Sequence, residues 1–458
     1  VRHNAPARAH GPDPASNAAC HSLAGKSCST TNSTDCCRCE DVKCVLTAQR
    51  MTDSNGHDNA IDEMWEEASV TERTAEVAGA GLAGLTVATA LAQRGWQVRV
   101  HERGSALREI GAGIFLWENA LRAIESIGAF DEATRRGEAI RSWKLYDERG
   151  RCIQDDWMKS EDTRLYTVLR TDLHGALANA ARDAGVEILT RSNVVGAHED
   201  GRLVIDGGES VSADLVIGAD GVFSPVRRAL GLDLEVRDLR DGCSRHLIPR
   251  LPHDPVNNTL EYWNGARRVG VVPVTPDQVY VYLCCPSGDL AGRRTPLDRG
   301  SWKASFPQLA SIIDRIPEDA RWASFSDVRC HSWVKGRAAI VGDASNAMSP
   351  NLGQAACLAI TNGYLLAQVL REIESIPDGL LEWQRRQRPV TNATQRYSRL
   401  YGRVGTRWPR PAADLRSALV KTAGRSRRWQ ERVNQAAHAG AQAVRAVSDG
   451  AGTPRNTN

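Results

Sequence analysis

No stretch of the 458-residue chain strings together the roughly 18 apolar residues that a membrane-spanning helix needs. No basic segment followed by an apolar run stands near its start, so no secretory leader is read there and a cytoplasmic location is expected. An excess of one charge is also missing. Lys and Arg total 58 against 55 Asp and Glu, a net +3, which argues against a dedicated nucleic-acid binder. The Arg-rich tract between Arg385 and Arg432 lacks aromatics interleaved at a base-stacking spacing and reads as a solvated helical face. Six of the twelve cysteines crowd between Cys20 and Cys44, yet they form neither a CxxC…CxxC nor a CxxC…HxxxH frame, so no metal site is expected. Residues 1–70 are rich in Ser, Thr, Asn, Asp, Gly and Ala and carry no apolar periodicity. They are read as a disordered extension, with the native chain expected to begin at or after Met51 and deletion of residues 1–50 expected to be neutral. The remaining length has room for more than one domain and a large core.

The informative part begins at "AEVAGAGLAGLTVATALAQRGWQVRVHERG", Ala75–Gly104. "AEVAG" predicts a strand, "LAGLTVATALAQRG" a helix stopped at Gly95, and "WQVRVHE" a second strand, which together make a βαβ unit. Gly79, Gly81 and Gly84 sit at the strand-to-helix turn and Glu102 closes the second strand. In that context, Gly79 allows a tight turn, Gly81 lets the backbone approach a pyrophosphate, and Gly84 lets helix and sheet pack closely. The N–H groups from Leu82 and Ala83 onward attract phosphate, and Glu102 accepts from ribose hydroxyls.

NAD and FAD both satisfy that unit. Two further strands run into loops of the same character. "ADLVIGADGVFSPVRRAL" ends a strand at Asp220-Gly221, and "GRAAIVGDASNAMSPNLGQAAC" ends one at Gly342-Asp343 before a proline and a helix starting at or just after Gly353. An extended FAD needs contacts along such a path; a plain NAD site uses the first loop alone.

These three stretches resemble the GxGxxG, DG and GD motifs of the single-component FAD-dependent aromatic monooxygenases, the para-hydroxybenzoate and salicylate hydroxylase family. The similarity runs from about Glu72 to Arg410 and includes "LREIGAGIFLWENALRAIESIG", "LYTVLRTDLHGALANAA" and "EWQRRQRPVT". It implies an α/β fold: a Rossmann-like FAD-binding domain with an inserted substrate-domain β-sheet and a C-terminal helical region. FAD-binding parts are expected over 71–140, 165–235 and 329–363, substrate-domain strands over 141–164 and 236–328, helices over 364–437 and a disordered tail over 438–458. Within the inserts, hairpin turns are read at Glu148–Gly150, Asn264-Gly265 and Pro276-Asp277.

The resemblance implies FAD contacts from Arg103, Arg108, Arg170, Asp220, Gly221, Asp343, Pro350, Leu352, Gly353, Gln354 and Ala355, beside the glycine-rich turn and Glu102. Asp343 would hold the ribityl chain, and the helix start from Leu352 to Ala356 would face the flavin's pyrimidine edge. Asn346 stands where most of the family carry His, and Ala355 where most carry Gly; both are expected to weaken flavin binding or slow the oxidative half-reaction without abolishing the fold. Phe115, Trp117 and Pro350 would border a small aromatic or heteroaromatic substrate. The implied chemistry reduces FAD with NADH or NADPH, forms a flavin hydroperoxide with O₂ and hydroxylates the ring. His246, Tyr262, Tyr280 and Tyr282 are candidates for the base that ionises the substrate, and Arg267 or Arg268 would hold a carboxylate. Neither metal nor nucleic acid takes part, and a monomer or homodimer is expected. The competing readings are an FAD reductase or epoxidase on the same scaffold and a catalytically impaired FAD-binding protein.

Overall fold

The computed structural model describes residues 72–107, 111–155, 163–319 and 321–450. The Cys20–Cys44 cluster and Arg108 lie outside them.

Thr74–Ala78, Leu82–Ala92 and Gln97–Glu102 form the predicted strand, helix and strand. The first strand is buried on both faces, as a central parallel strand covered by helices requires: Ala75 and Val77 share one face, and Ala78 shares the other with Glu76, a buried acid paired with Arg99 and His101. It pairs in parallel with Gln97–Glu102 on one side and with Leu215–Gly218 on the other. Leu215–Gly218 pairs in parallel with Ala338–Ile340. The strands that precede the three motif loops are therefore neighbours in one six-stranded sheet, and their carboxyl ends share one edge. Helix Ala355–Glu372 packs on helix Leu82–Ala92 behind that edge.

The inserts assemble a second sheet of seven strands, in the order Trp322–Cys330, Asp233–Pro249, Gln278–Pro286, Arg267–Pro273, Asn258–Asn264, Ser142–Tyr146 and Cys152–Gln154. The three hairpin turns fall where the sequence places them. One face of this sheet carries Ile248, Val269, Val271, Val279, Val281 and Leu283, which bury against Trp302, Phe306 and Ile313. Alternation then turns the intervening residues toward the other face.

Two expectations need correction. Helix Gln435–Gly450 runs past residue 437, where a tail is read from composition. Its small residues allow close packing on helix Glu118–Ser126: a Cβ at Gly440 would come within 2.9 Å of Asn119. The Arg-rich tract is not wholly solvated either. Arg416 is buried over the Trp263 ring, and Arg399 pairs with the buried Asp327. Among the described residues no helix is long and apolar enough to cross a membrane, and no group of three His, Cys, Asp or Glu gathers as a metal site.

Candidate active site

A groove of about 480 Å³ follows the carboxyl edge of the six-stranded sheet. Gly79, Gly81, Leu82 and Ala83 line one end together with Glu102 and Arg103; Asp220, Gly221 and Asp343 line its middle; Arg170 and Ala355 stand farther along. Glu102 is held at the rim by backbone N–H groups of Ala80, at 3.2 Å, and Gly104, at 2.8 Å. His174, which the sequence reading passed over, is buried and within 2.8 Å of the Ala80 carbonyl oxygen, tying helix Arg170–Asp183 to the glycine turn.

Three observations test whether this groove fits a dinucleotide. Helix Leu82–Ala92 has no side-chain cap and no acid in its first turn, so its N-terminal N–H groups face the groove bare. A Cβ built on Gly81 or on Gly221 meets no protein atom within 4 Å, so both leave space on the groove side. The Asp220 carboxylate accepts from the Val226 N–H through one oxygen, while the other is buried with no partner among the described residues. Burial pushes that carboxyl up, and a hydroxyl donor such as a ribityl group satisfies it. The residues fit FAD.

Gly84 plays the structural part expected of it. A Cβ there would sit 1.9 Å from the Gly79 carbonyl oxygen, and Gly79 itself has φ +102°, a conformation that favours glycine. Leu352 and Gln354 do not line the groove; both are buried, and Gln354 donates to the Val433 carbonyl. Asn346 is buried behind the groove beside Ser345, so it has no direct route to a ligand there. Ala355 does line it.

A second cavity, of about 240 Å³, meets the groove at Arg170, Ala355 and Ala356. Its walls are the free face of the seven-stranded sheet, strand Gly113–Trp117 and the loop containing Pro350 and Gly353. Phe115 stacks on Trp143 with ring centroids 4.8 Å apart. From the sheet come Cys243, Arg245, Glu261, Arg268, Tyr280, Tyr282 and Cys284. Arg245 faces the open part of the cavity beside Tyr280, and burial holds the Tyr280 phenol well above its usual range. Glu261 accepts from Trp263 Nε1 at 2.8 Å, Tyr282 Oη at 2.9 Å and Tyr401 Oη at 3.2 Å.

Of the four candidate bases, Tyr280 and Tyr282 line this cavity, and burial raises both phenols, so they stay protonated at neutral pH and are donors rather than bases. His246 and Tyr262 sit one residue out of phase with Arg245 and Glu261 and face away. His246 Nε2 is 3.0 Å from Ser244 Oγ, and burial pushes its imidazole down to about 4. Tyr262 stacks on Tyr146 at 5.0 Å. Trp117 is also core, on the far end of its strand. Arg268 lines the cavity, whereas Arg267 is turned away and paired with Asp289. Tyr262→Phe is therefore expected to leave turnover and KM within about twofold, as for a surface-like change away from the reacting atoms; steady-state kinetics check it, and a tenfold loss would return Tyr262 to the site.

A family model described as an FAD binding domain matches residues 72–397. A probable 2-heptyl-3-hydroxy-4(1H)-quinolone synthase of Rhodococcus erythropolis is 36% identical over 78% of this chain and 93% of its own length. The 2-heptyl-3-hydroxy-4(1H)-quinolone synthase of Mycobacteroides abscessus is 37% identical over 77% and 95%. The solved tetrameric form of 2-methyl-3-hydroxypyridine-5-carboxylic acid oxygenase superposes with a TM-score of 0.72 at 34% identity, covering 80% of this chain and 96% of that one. With the groove, its glycine turn and the aromatic cavity at its end, these likenesses establish that the chain belongs to the FAD-dependent aromatic monooxygenases.

Proposed function

We propose that the protein hydroxylates a one- or two-ring nitrogen heteroaromatic compound carrying an acidic hydroxyl or carbonyl group, using NADH or NADPH as reductant and O₂ as oxygen source. The observation that carries this reading is the junction of groove and cavity at Arg170, Ala355 and Ala356. A flavin laid along the groove has its ring end at that junction, against the aromatic cavity. A volume of about 240 Å³ lies below the roughly 300–1,000 Å³ of sites for drug-sized ligands, which favours a small planar ring. The quinolone and hydroxypyridine named for the relatives are rings of that kind.

In this reading Gly81, Leu82 and Ala83 hold the pyrophosphate, Glu102 and Arg103 the adenosine end, Asp220, Gly221 and Asp343 the ribityl chain, and Gly353 and Ala355 the ring, with Arg170 and Pro350 beside it. When bound, FAD supplies the activation of O₂ after accepting two electrons. The protein's share is position and charge. Phe115 and Trp143 offer a flat wall for the substrate ring. Arg245 favours the ionised hydroxyl, because a nearby cation lowers the pKa of an acid. Tyr280, kept protonated, donates to the same oxyanion. A ring so ionised is richer in electrons and more readily attacked by an electrophilic oxygen.

The test is a panel of hydroxypyridines, quinolones and hydroxybenzoates, assayed for stimulated NAD(P)H oxidation, O₂ uptake and hydroxylated product. A yellow protein that no heteroaromatic stimulates would sink the proposal. With an active compound found, Arg245→Met is expected to raise KM about 10- to 100-fold, the size of a lost hydrogen bond to a charged group. It should also move the pH optimum of kcat/KM upward, since the substrate hydroxyl then ionises at higher pH. An unshifted optimum would show that Arg245 does not govern that ionisation.

A further inference from the structure

Cys243 and Cys284 lie directly opposite each other in the antiparallel pair formed by Asp233–Pro249 and Gln278–Pro286. Both side chains are buried and both line the substrate cavity. Among the described cysteines no other two are opposed across a strand pair; Cys285, the next residue, turns to the other face and packs with Trp302. Residues opposite one another in an antiparallel pair have Cα atoms about 4.5–5.5 Å apart, inside the roughly 4.4–6.8 Å that a disulfide spans. The cross-link needs no rearrangement of the backbone.

The surroundings favour its formation. The neighbouring Cys284 thiol lowers the pKa of Cys243, burial opposes it, and the charges of Arg245 and Arg268 lower it further. The Cys284 thiol is pushed up by the same interaction and by burial. The charges of Arg245 and Arg268 beside the opposed pair favour a thiolate on one sulfur, which serves as the nucleophile while the other resolves. The cavity admits molecules far larger than a peroxide.

We propose that Cys243 and Cys284 form a reversible, peroxide-sensitive disulfide in the wall of the substrate cavity. The Cys243 thiolate attacks one oxygen of hydrogen peroxide, the O–O bond breaks and hydroxide leaves, giving a sulfenic acid. Cys284 then attacks that sulfur, the S–S bond forms, and the sulfenic oxygen leaves as water. In sum, two thiols and one hydrogen peroxide become one disulfide and two waters: the sulfurs lose two electrons, and the peroxide gains them. A dithiol reverses it. The cross-link replaces the Cys243 thiolate by a neutral disulfide, removes a negative charge that competes for Arg245 and Arg268, and so tightens binding of an aromatic anion. That last consequence rests on the substrate reading above; the cross-link itself does not.

The full-length protein with FAD bound is treated with hydrogen peroxide in the absence of nicotinamide and substrate, alkylated and digested without reductant. The expected product joins the peptide containing Cys243 to the one containing Cys284 and Cys285, two hydrogens lighter than the two thiol peptides together and released by dithiothreitol. Cys285→Ser should retain the link and Cys284→Ser should lose it. Titration of 3-hydroxypyridine-5-carboxylate into treated and untreated protein is expected to show about a tenfold gain of affinity, absent in Cys284→Ser. A missing cross-link, a link through Cys285, or a sulfinate on Cys243 with Cys284 still free would overturn the proposal. A link that forms with no change in ligand affinity would overturn its effect on the cavity while leaving the modification site standing.

Discussion

Gly81→Val is expected to fold as the parent does and to bind essentially no FAD. Gly81 sits at φ −79°, ψ −176°, an extended conformation that a β-branched residue adopts readily. A Cβ there meets no protein atom within 4 Å, so the apoprotein has nothing to clash with it. The added carbons project instead into the groove at the bare start of helix Leu82–Ala92, where a pyrophosphate must come close. Overpacking costs roughly 1–3 kcal/mol for modest insertions, and three carbons against a rigid helix start should weaken FAD by at least about 100-fold. The melting temperature of the FAD-free protein should barely move. Gly84→Val provides the contrast, because its Cβ would lie 1.9 Å from the Gly79 carbonyl oxygen and the variant should fail to fold. Fluorescence titration of apoprotein with FAD, beside a thermal melt, reads both effects. An FAD affinity within threefold of the parent in Gly81→Val would mean that the groove does not take the pyrophosphate at this turn.

Arg268→Met is expected to be the most destabilising single change among the cavity residues. Arg268 is 1% exposed. Its guanidinium lies 3.6 Å from the Asp241 carboxylate and 3.7 Å from Glu261, donates to Asn351 Oδ1 at 2.7 Å, and stands over the Tyr401 ring at 5.9 Å. Asp241 and Glu261 are themselves buried. Methionine fills much of the volume but leaves two buried carboxylates without their cation, a loss of about 3–5 kcal/mol. The effect has a definite pH dependence. Burial already raises the Asp241 carboxyl, and Arg268 is the foremost group pulling it back down. Without Arg268 its pKa in the folded protein rises further above the unfolded value. Such an acid takes up a proton on folding, so its cost is greatest at pH above the folded pKa and shrinks as pH falls through it. The stability gap between parent and variant should therefore narrow from about pH 8 to about pH 5. Denaturant melts at several pH values check it, and a gap that stays constant would assign the loss to packing alone.

How far the site was legible depended on how many segments build each part of it. Each dinucleotide motif lies within one strand, one turn and the following helix start. Residue type and spacing over a few positions therefore carry the whole argument, and Gly79, Gly81, Glu102, Asp220 and Asp343 fall along one groove. The hairpin turns were legible for the same reason, since their chemistry is local. The cavity was not. Alternation in "QVYVYLCC" separates Val279, Val281 and Leu283 from Tyr280, Tyr282 and Cys284, but it does not say which set faces a ligand. Strand Asp233–Pro249 hid Cys243 and Arg245 more thoroughly. Its pairing register shifts between Asp238 and Gly242, and Arg240 there has φ +54°. A bulge of that kind changes the phase of the alternation, so a pattern read before it does not predict the faces after it. That phase is what turns Arg245 toward the cavity and His246 away.

The sequence by itself determined the dinucleotide fold and the groove of this protein, because a glycine turn, an acid at a strand end and an uncapped helix act through backbone geometry within a few residues. The tertiary structure alone decided the chemistry of the substrate cavity. Its wall is gathered from six separated stretches, Gly111–Phe115, Trp143, Arg170, Cys243–Arg245, Glu261–Cys284 and Pro350–Ala356, and burial of the opposite sheet face against Trp302, Phe306 and Ile313 selects which residues of those stretches are left to meet a ligand.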